Sequence, residues 1–147
     1  MEVELWQWLG IPLDTVKIKK YDEWGEKYKV RELDHGHESA IGRGMITHFP
    51  EWTSPFWNMA RNGDGTSKKI DVILGGMETI GSAERSTDKE QMRNTFHTIS
   101  DGEYAELLYK LFGKERVEKE LEEVLSFDFF PRSGGGIGMQ RLMTALS

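Results

Sequence analysis

The residues most suited to chemistry are two acids that flank a pair of glycines, Asp71 and Glu78 on either side of Gly75-Gly76. If the glycines form a two-residue hairpin turn, Leu74 pairs with Met77 and the two strands alternate in step. The acids then become diagonal neighbours about 7–8 Å apart, within reach of a shared divalent ion. The alternative is that both acids simply face water. The same register predicts one shared face for four side chains: Asp71, Ile73, Glu78 and Ile80.

A third charged residue, Arg85, lies seven positions beyond Glu78, so a regular strand would place it on the opposite face. A β-bulge at Gly81 would shift the alternation by one residue and bring the guanidinium back to the side of the acids. A guanidinium is a preferred bidentate partner for a carboxylate ligand, and a metal between acids suits phosphate oxygens. With the bulge, the site would bind an acidic metabolite beside a nucleotide. The alternative is a solvated ion pair of Arg85 with Glu84 or Asp88.

Glycines dominate the segment 132–138, where Gly134, Gly136 and Gly138 stand at alternating positions. In a strand, such glycines leave one face without side chains, so a flat group can lie against the backbone. An apolar helix follows and carries Arg141, which can present a cation to the same ligand. A flexible linker is the alternative, but apolar residues follow at once at helical spacing. The segment therefore favours a nucleotide site.

Hydrophobic periodicity and turn residues predict a succession of short strands and helices. We predict strands at 16–19, 45–49, 56–60, 70–74 and 77–80, and helices at 21–28, 88–99, 103–112 and 115–125. This order of elements indicates an α+β fold with a mainly antiparallel sheet flanked by helices. Because 147 residues suffice for one hydrophobic core, we expect a single domain over residues 1–147.

The composition excludes several classes of function. A net charge of −6 and a pI near 5.3 argue against a general nucleic-acid or anionic-membrane surface, because phosphate binding relies on lysine and arginine. The absence of cysteine excludes disulfides and thiolate zinc sites. The first residues lack the basic and apolar regions of a secretion signal. We therefore expect a cytoplasmic protein without membrane contact.

Taken together, these motifs resemble a known family. They are similar to the C-terminal half of a class II aminoacyl-tRNA synthetase catalytic domain, in the aspartyl and asparaginyl branch. The resemblance runs from about Tyr21 to the end and is carried by the segments 45–50, 54–59, 71–78, 80–85 and 136–142. It implies a class II synthetase-like core that is incomplete here, because the arginine-bearing loop that clamps the α-phosphate lies upstream in the family pattern.

The resemblance also implies ligands for the charged residues of the hairpin. Asp71 and Glu78 would hold Mg²⁺ on ATP. Arg85 would bind the side chain of an aspartate or asparagine substrate. The implied reaction is attack of the amino acid carboxylate on the α-phosphate, which gives an aminoacyl adenylate and pyrophosphate.

For the C-terminal motif, the resemblance implies contacts with the nucleotide. Gly136 and Gly138 would form the floor of the adenine site. Arg141 would stack on adenine and contact the γ-phosphate, and would thus be the catalytic cation of this segment. Positioning and charge stabilisation dominate such chemistry, so no side-chain nucleophile is required.

Two departures from the family pattern leave alternatives open. Gln140 stands where an acid usually precedes the arginine, and Arg132-Ser133 replace the usual Pro-His before the glycines. These changes bring the tail closer to the archaeal-type asparagine synthetases, relatives that make free asparagine from aspartyl adenylate and ammonia without tRNA. Three functions therefore compete: amino acid activation by a tRNA ligase, tRNA-independent asparagine synthesis, and binding by a non-catalytic paralogue.

The expected partners follow from the family parts that this sequence does not contain. The anticodon-binding module and the segments that form the dimer interface are missing, so tRNA could bind only through regions absent here. A sheet without its upstream strands exposes an edge and an apolar face, which invites another chain. We expect a homo-oligomer or an upstream partner half.

Overall fold

The fold is that of a computed structural model, which describes residues 2–147, with side chains described from Glu4 onward. The helices are α1 (Glu2–Trp8), α2 (Tyr21–Tyr28), α3 (His35–Ile41), α4 (Lys89–Thr98), α5 (Glu103–Phe112), α6 (Lys114–Leu125) and α7 (Met139–Leu146). The strands are β1 (Lys17–Lys20), β2 (Gly44–Pro50), β3 (Thr66–Leu74), β4 (Met77–Arg85) and β5 (Arg132–Ile137). The four helices whose bounds were predicted from the sequence are all confirmed, with ends that agree within one or two residues, and the apolar helix expected to carry Arg141 is α7.

The strands form one sheet in the order β1-β2-β3-β4-β5. β1 and β2 run parallel, with Lys17 opposite Gly44, in a sheet that is otherwise mostly antiparallel. The predicted α+β class with a mainly antiparallel sheet and flanking helices is confirmed. No helix within residues 2–147 combines the length and apolar character needed to cross a membrane.

The strand predicted at residues 56–60 is wrong. This stretch forms a turn, in which the Met59 amide donates to the Phe56 carbonyl at 3.0 Å. Met59 makes a single antiparallel bridge to Arg85. The aromatic composition of the stretch suits a strand, but Pro55 lacks an amide hydrogen for a ladder at its start. Composition indicated strand propensity here without a partner for continuous pairing.

The residue contacts divide the chain into two compact units. Unit 1 contains the chain up to Phe49 together with Lys69–Ser82 and Gly135–Ser147. Unit 2 contains Pro50–Lys68 and Ala83–Gly134. That residues 1–147 behave as one domain in solution stays a prediction.

Unit 1 has two apolar clusters, and β3 contributes to both. Ile73 packs in the first cluster, around Trp24, whose indole nitrogen donates to the Met45 carbonyl at 3.3 Å. Val72 and Leu74 pack in the second cluster. Successive side chains of a strand point to opposite faces. β3 is therefore packed against an apolar cluster on each face, directly beside Asp71.

Unit 2 has its own core, formed mainly by α4, α5 and α6. Met92 and Phe96 from α4 pack against Val117, Leu121 and Leu125 from α6. Asp88 caps α4, because its carboxylate accepts a hydrogen bond from the Gln91 amide at 2.9 Å. The cap fixes the start of α4 directly after β4.

Candidate active site

The hairpin that joins β3 to β4 is the two-residue turn predicted from Gly75-Gly76. Both glycines have positive φ angles, +58° and +76°, as a type I′ turn requires. A β-carbon on Gly76 would lie 3.0 Å from the Ser39 α-carbon, and the Gly76 amide donates to the Gly42 carbonyl at 2.8 Å. Glycine is therefore required both for the turn and for its close contact with α3.

Asp71 is a buried acid with one unpartnered oxygen. The residue is 6% exposed. Its Oδ2 accepts a hydrogen bond from Lys69 Nζ at 2.6 Å, whereas Oδ1 is buried without a hydrogen-bond partner among the described residues. A buried carboxylate oxygen without a partner costs folding free energy. A cation bound at Oδ1 would supply the partner that the described residues do not provide.

The buried position of Asp71 and the charges around it shift the pKa of its carboxyl group. Burial raises the pKa of Asp71 from 3.8 to about 6, the ion pair with Lys69 opposes the rise, and the nearby carboxylates of Glu78 and Glu38 add to it. Desolvation and like charges both disfavour the ionised acid. A divalent ion bound to the carboxylates would offset both effects, because its positive charge favours the ionised acid.

Glu78 and Asp71 converge over the bare backbone of Gly81. An ideal β-carbon on Gly81 would lie 2.7 Å from Glu78 Oε1 and 3.6 Å from Asp71 Oδ1. The absence of a side chain at Gly81 therefore leaves room for both carboxylates. The predicted juxtaposition of the two acids is present within unit 1.

The predicted face is wrong for Ile80. Ile80 packs in the cluster of Val72 and Leu74 rather than on the side of Ile73. Glu78 and Gly81 are three residues apart yet point to the same side, which breaks the two-residue alternation of a strand. Both observations indicate a one-residue shift between Glu78 and Ile80, slightly earlier in the strand than Gly81, where the sequence suggested a bulge.

Arg141 is tied to the same hairpin. Its guanidinium donates to the Glu78 carbonyl at 2.7 Å, and the Gly138 amide, which precedes α7, donates to the Thr79 carbonyl at 2.8 Å. These two bonds fix the start of α7 against β4. Arg141 thereby places a positive charge beside the backbone of one of the two acids.

The glycine segment forms strand β5, as predicted, and not a linker. A β-carbon on Gly135 would lie 2.5 Å from the Gly81 carbonyl oxygen, so only glycine allows the two strands to approach this closely. Gly136 has open space where a side chain would be, whereas a β-carbon on Gly138 would lie 3.4 Å from the Arg141 side chain and 3.5 Å from the Thr79 carbonyl. The backbone at Gly136 is therefore accessible to a flat ligand.

Arg85 belongs to unit 2, where its guanidinium donates to Asn58 Oδ1 at 3.1 Å and to the Gly134 carbonyl at 3.3 Å. The alternative of a surface pair is wrong, because Glu84 instead accepts from Lys68 at 2.8 Å and Asp88 caps α4. The half-buried guanidinium lines a cavity of about 280 Å³ in unit 2. Convergence of Arg85 with the two acids stays a prediction.

Sequence reasoning missed two residues of these sites. Lys69 lies two positions before Asp71 and so shares its face, a signal that could have identified it. Asn58, the partner of Arg85, lies in the segment wrongly predicted as a strand. Nothing in the local sequence pairs these two residues, which are 27 positions apart.

The two acids fit a divalent ion that arrives with other ligands. Within the described part of the chain, no group of three or more His, Cys, Asp or Glu side chains could hold a metal ion. Two carboxylates supply part of an octahedral shell, and Mg²⁺ commonly completes it with substrate phosphates and water. The unpartnered Oδ1 of Asp71 is consistent with this role.

Solved structures of three synthetases share the fold of this chain. An aspartyl-tRNA synthetase from Entamoeba histolytica has a TM-score of 0.64 at 20% identity, over 88% of this chain and 28% of that one. The asparaginyl-tRNA synthetase of Pyrococcus horikoshii, complexed with asparaginyl-adenylate, has a TM-score of 0.64 at 19% identity, over 89% and 31%. The Entamoeba histolytica asparaginyl-tRNA synthetase, also with asparaginyl-adenylate, has 0.63 at 16%, over 92% and 33%.

These likenesses establish the fold, and the chain spans about 30% of the length of the synthetases it matches. No curated protein matches the sequence. The sequence model of the class II tRNA synthetases (D, K and N), however, matches residues 14–147. That match covers both acids, both arginines and the glycine strand, and the chain belongs to this family of class II tRNA synthetases.

Proposed function

We propose that the protein activates aspartate or asparagine with ATP, as part of an aminoacyl-tRNA ligase. The observation that carries the proposal is the pair of carboxylates, Asp71 and Glu78, which converge over Gly81 beside the Arg141 contact with β4. Family membership implies the use of ATP. This chain spans about a third or less of the length of the related synthetases, so the complete activity is proposed for the chain together with any further part of its reading frame.

In the proposed reaction, a carboxylate oxygen of the amino acid attacks the α-phosphorus of ATP. The new phosphorus–oxygen bond forms as the bond to the pyrophosphate oxygen breaks, so the products are an aminoacyl adenylate and pyrophosphate. Negative charge develops on the phosphate oxygens, and fixed cations stabilise it. Arg141 supplies one such cation and the floor at Gly136 and Gly138 holds the adenine.

Mg²⁺ fits between Asp71 and Glu78, where it would neutralise the phosphate oxygens of ATP. The two acids would hold the ion and set its position on the hairpin. The glycine turn and the double anchoring of β3 keep both carboxylates in place. These residues therefore orient the nucleotide rather than exchange protons with it.

Arg85 is proposed to select the amino acid. Its guanidinium is held by Asn58 and the Gly134 carbonyl and lines the cavity of about 280 Å³ in unit 2. A carboxylate or a carboxamide oxygen can accept from a guanidinium. The proposed substrates are accordingly aspartate and asparagine, and tRNA would bind through regions outside this sequence.

Pyrophosphate exchange tests the proposal. The chain is assayed together with any upstream part of its reading frame, with aspartate, asparagine and lysine in parallel. We expect exchange with aspartate or asparagine, and a loss of about 100-fold or more in Glu78→Gln. Glu120→Gln is the matched control, because Glu120 is an exposed acid on α6 that pairs with Arg116. Absence of exchange with all three amino acids would favour a non-catalytic paralogue.

A second candidate is tRNA-independent asparagine synthesis, which Gln140 and Arg132-Ser133 favour. In the structure, Arg132 donates to the Ser86 carbonyl at 3.3 Å and lies over the Phe129 ring at 4.5 Å, so it is built into unit 2. Formation of free asparagine from aspartate, ATP and ammonium, without tRNA, would establish this second function. Pyrophosphate exchange without formation of free asparagine would favour the ligase function over asparagine synthesis.

The proposed partner is an upstream half or a second copy of the chain. β5 is the last strand in the order of the sheet, and most of its residues are exposed. An unpaired edge of this kind can accept another strand. Light scattering during size-exclusion chromatography, at several concentrations and with any upstream half added, tests this. If the chain bound neither a second copy of itself nor the upstream half at any concentration, the result would contradict the proposal.

A further inference from the structure

Lys69 places a cation where the proposed metal site begins. Its ammonium lies 2.6 Å from Asp71 Oδ2 and 3.9 Å from the centre of the Phe49 ring. The Lys69 side chain is 26% exposed and that of Asp71 is 8% exposed. Lys69 is thus held on one side by a carboxylate and on another by an aromatic face, which attracts cations.

The charge of Lys69 changes what the acid pair can attract. Asp71 and Glu78 carry two negative charges, Glu38 adds to the negative field at Asp71, and Lys69 offsets one of these charges. Charges that are partly shielded from water interact more strongly than charges on an open surface. A free divalent ion is therefore repelled by Lys69, whereas the phosphates of a nucleotide are attracted by it.

We propose that Lys69 is an internal cation that weakens the binding of free divalent ions to Asp71 and Glu78 and strengthens the binding of the metal–nucleotide complex. The inference rests on the proposed function, because it assigns the two acids to a metal on ATP. Lys69 is a positioning residue in this scheme: it holds Asp71 Oδ2 and leaves Oδ1 for the incoming ion. The metal then binds together with its nucleotide instead of before it.

A purely structural lysine would behave differently. If Lys69 only held Asp71 in place, its loss would weaken every ligand of the site in the same direction. The proposed role gives two effects of opposite sign in one variant. That opposition separates the two roles.

The test measures Mn²⁺ binding to the chain, together with any upstream part of its reading frame, by electron paramagnetic resonance of the free ion, first without and then with ATP. Lys69→Met keeps the length and apolar stem of the side chain and removes its charge. We expect about a 10-fold tighter affinity for Mn²⁺ alone and a weaker affinity for Mn²⁺–ATP. Lys69→Arg keeps the charge and is expected to bind Mn²⁺ like the unmodified chain.

Lys27→Met is the matched control. Lys27 also lies over aromatic rings, 4.9 Å from Trp24 and 5.2 Å from Tyr28, whereas the ion pair of Asp71 is with Lys69. Its removal should leave both affinities unchanged. Should Lys69→Met fail to fold, Lys69→Gln provides a neutral polar replacement for the same measurement.

The outcomes separate the inference from the proposed function. Mn²⁺ binding that Asp71→Asn abolishes, without a gain in Lys69→Met, would overturn the inference and leave the proposed metal site intact. Equal weakening of Mn²⁺ and Mn²⁺–ATP in Lys69→Met would also overturn it. Mn²⁺ binding that Asp71→Asn leaves unchanged would overturn the metal assignment and the inference together.

Discussion

The hairpin of unit 1 and the helices of unit 2 both contain clusters of charged side chains, yet the clusters have opposite effects on stability. In the hairpin, burial raises the pKa of Asp71 to about 6 and one of its oxygens has no partner among the described residues. In the helices, hydrogen bonds from Tyr109 and His97 lower the pKa of Glu118. The first cluster costs stability and the second adds to it.

This difference helps to distinguish a ligand-binding site from a cluster that only stabilises the packing of helices. Glu118 joins three helices, since it accepts from Tyr109 on α5 and from His97 on α4 at 2.9 Å. All the groups in that cluster have partners that the fold itself provides. Asp71 has a buried carboxylate oxygen without a hydrogen-bond partner among the described residues, which is typical of residues that bind a ligand.

The largest expected effect on stability is that of Asp71→Asn. Because the folded-state pKa is raised above 3.8 to about 6, the folded protein binds this proton more tightly than the unfolded chain does. The free energy of unfolding therefore falls as the pH rises from about 4 to about 6, by roughly 2–3 kcal/mol in total. Asp71→Asn removes this cost, and Lys69, at 26% exposure, can turn towards water.

Urea unfolding of Asp71→Asn at pH 7 and at pH 4.5 measures the effect. We expect a higher stability than that of the unmodified chain at pH 7, and a smaller difference at pH 4.5. A variant less stable at pH 7 would show that Asp71 is a structural acid. The comparison between the two units would then fail.

The next effect is on the position of Glu78. In Gly81→Ala, the new β-carbon would meet Glu78 Oε1 at 2.7 Å, and a flexible carboxylate can move away at little cost to the backbone. We expect about a 10-fold loss of pyrophosphate exchange with little change in the free energy of unfolding. Gly76→Ala is the contrast, because its φ of +76° and the Ser39 backbone at 3.0 Å leave no room. That variant should lose stability instead.

A smaller effect is expected from Glu118→Gln in unit 2. The substitution removes the charge that attracts His97 and Tyr109, and both partners are partly solvated, so the loss should be about 1 kcal/mol. Urea unfolding measures it, and pyrophosphate exchange should stay at the level of the unmodified protein. Unchanged stability would show that the cluster contributes nothing to helix packing.

The smallest effect is the pH dependence that His97 gives to unit 2. Its two ring nitrogens face the Arg93 carbonyl at 2.8 Å and a Glu118 oxygen at 2.9 Å, both acceptors, so the protonated ring satisfies both. The hydrogen bond with Glu118 raises the pKa of His97 above 6.5. Its stabilisation is therefore full below pH 6.5 and is lost as the pH rises through the folded-state pKa.

Solvent limits this contribution to less than about 1 kcal/mol. Unfolding of His97→Gln across pH 6 to 9 checks it, because the variant should lack the decline seen in the unmodified chain over that interval. Parallel curves for the two proteins would contradict the assignment.

The sequence predicted those features that are encoded locally. The turn at Gly75-Gly76 and the helix 103–112 depend on neighbouring residues, and each is present as predicted. The juxtaposition of Asp71 and Glu78 followed from the turn, because a two-residue turn sets which residues face each other.

Features that depend on distant residues were harder to predict. Ile80 changes face because the alternation shifts between Glu78 and Ile80, whereas the sequence suggested a shift only at Gly81. The partner of Arg85, Asn58, comes from a segment whose aromatic residues suggested a strand. The raised pKa of Asp71 depends on how deeply β3 is buried, which periodicity does not measure.

The most direct test of the central claim is pyrophosphate exchange by Asp71→Asn, with the melting temperature recorded in the same buffer. If Asp71 is an acid kept for a metal on ATP at the expense of stability, exchange should fall about 100-fold or more while the melting temperature rises. Exchange within about 2-fold of the unmodified protein, at any melting temperature, would contradict the account.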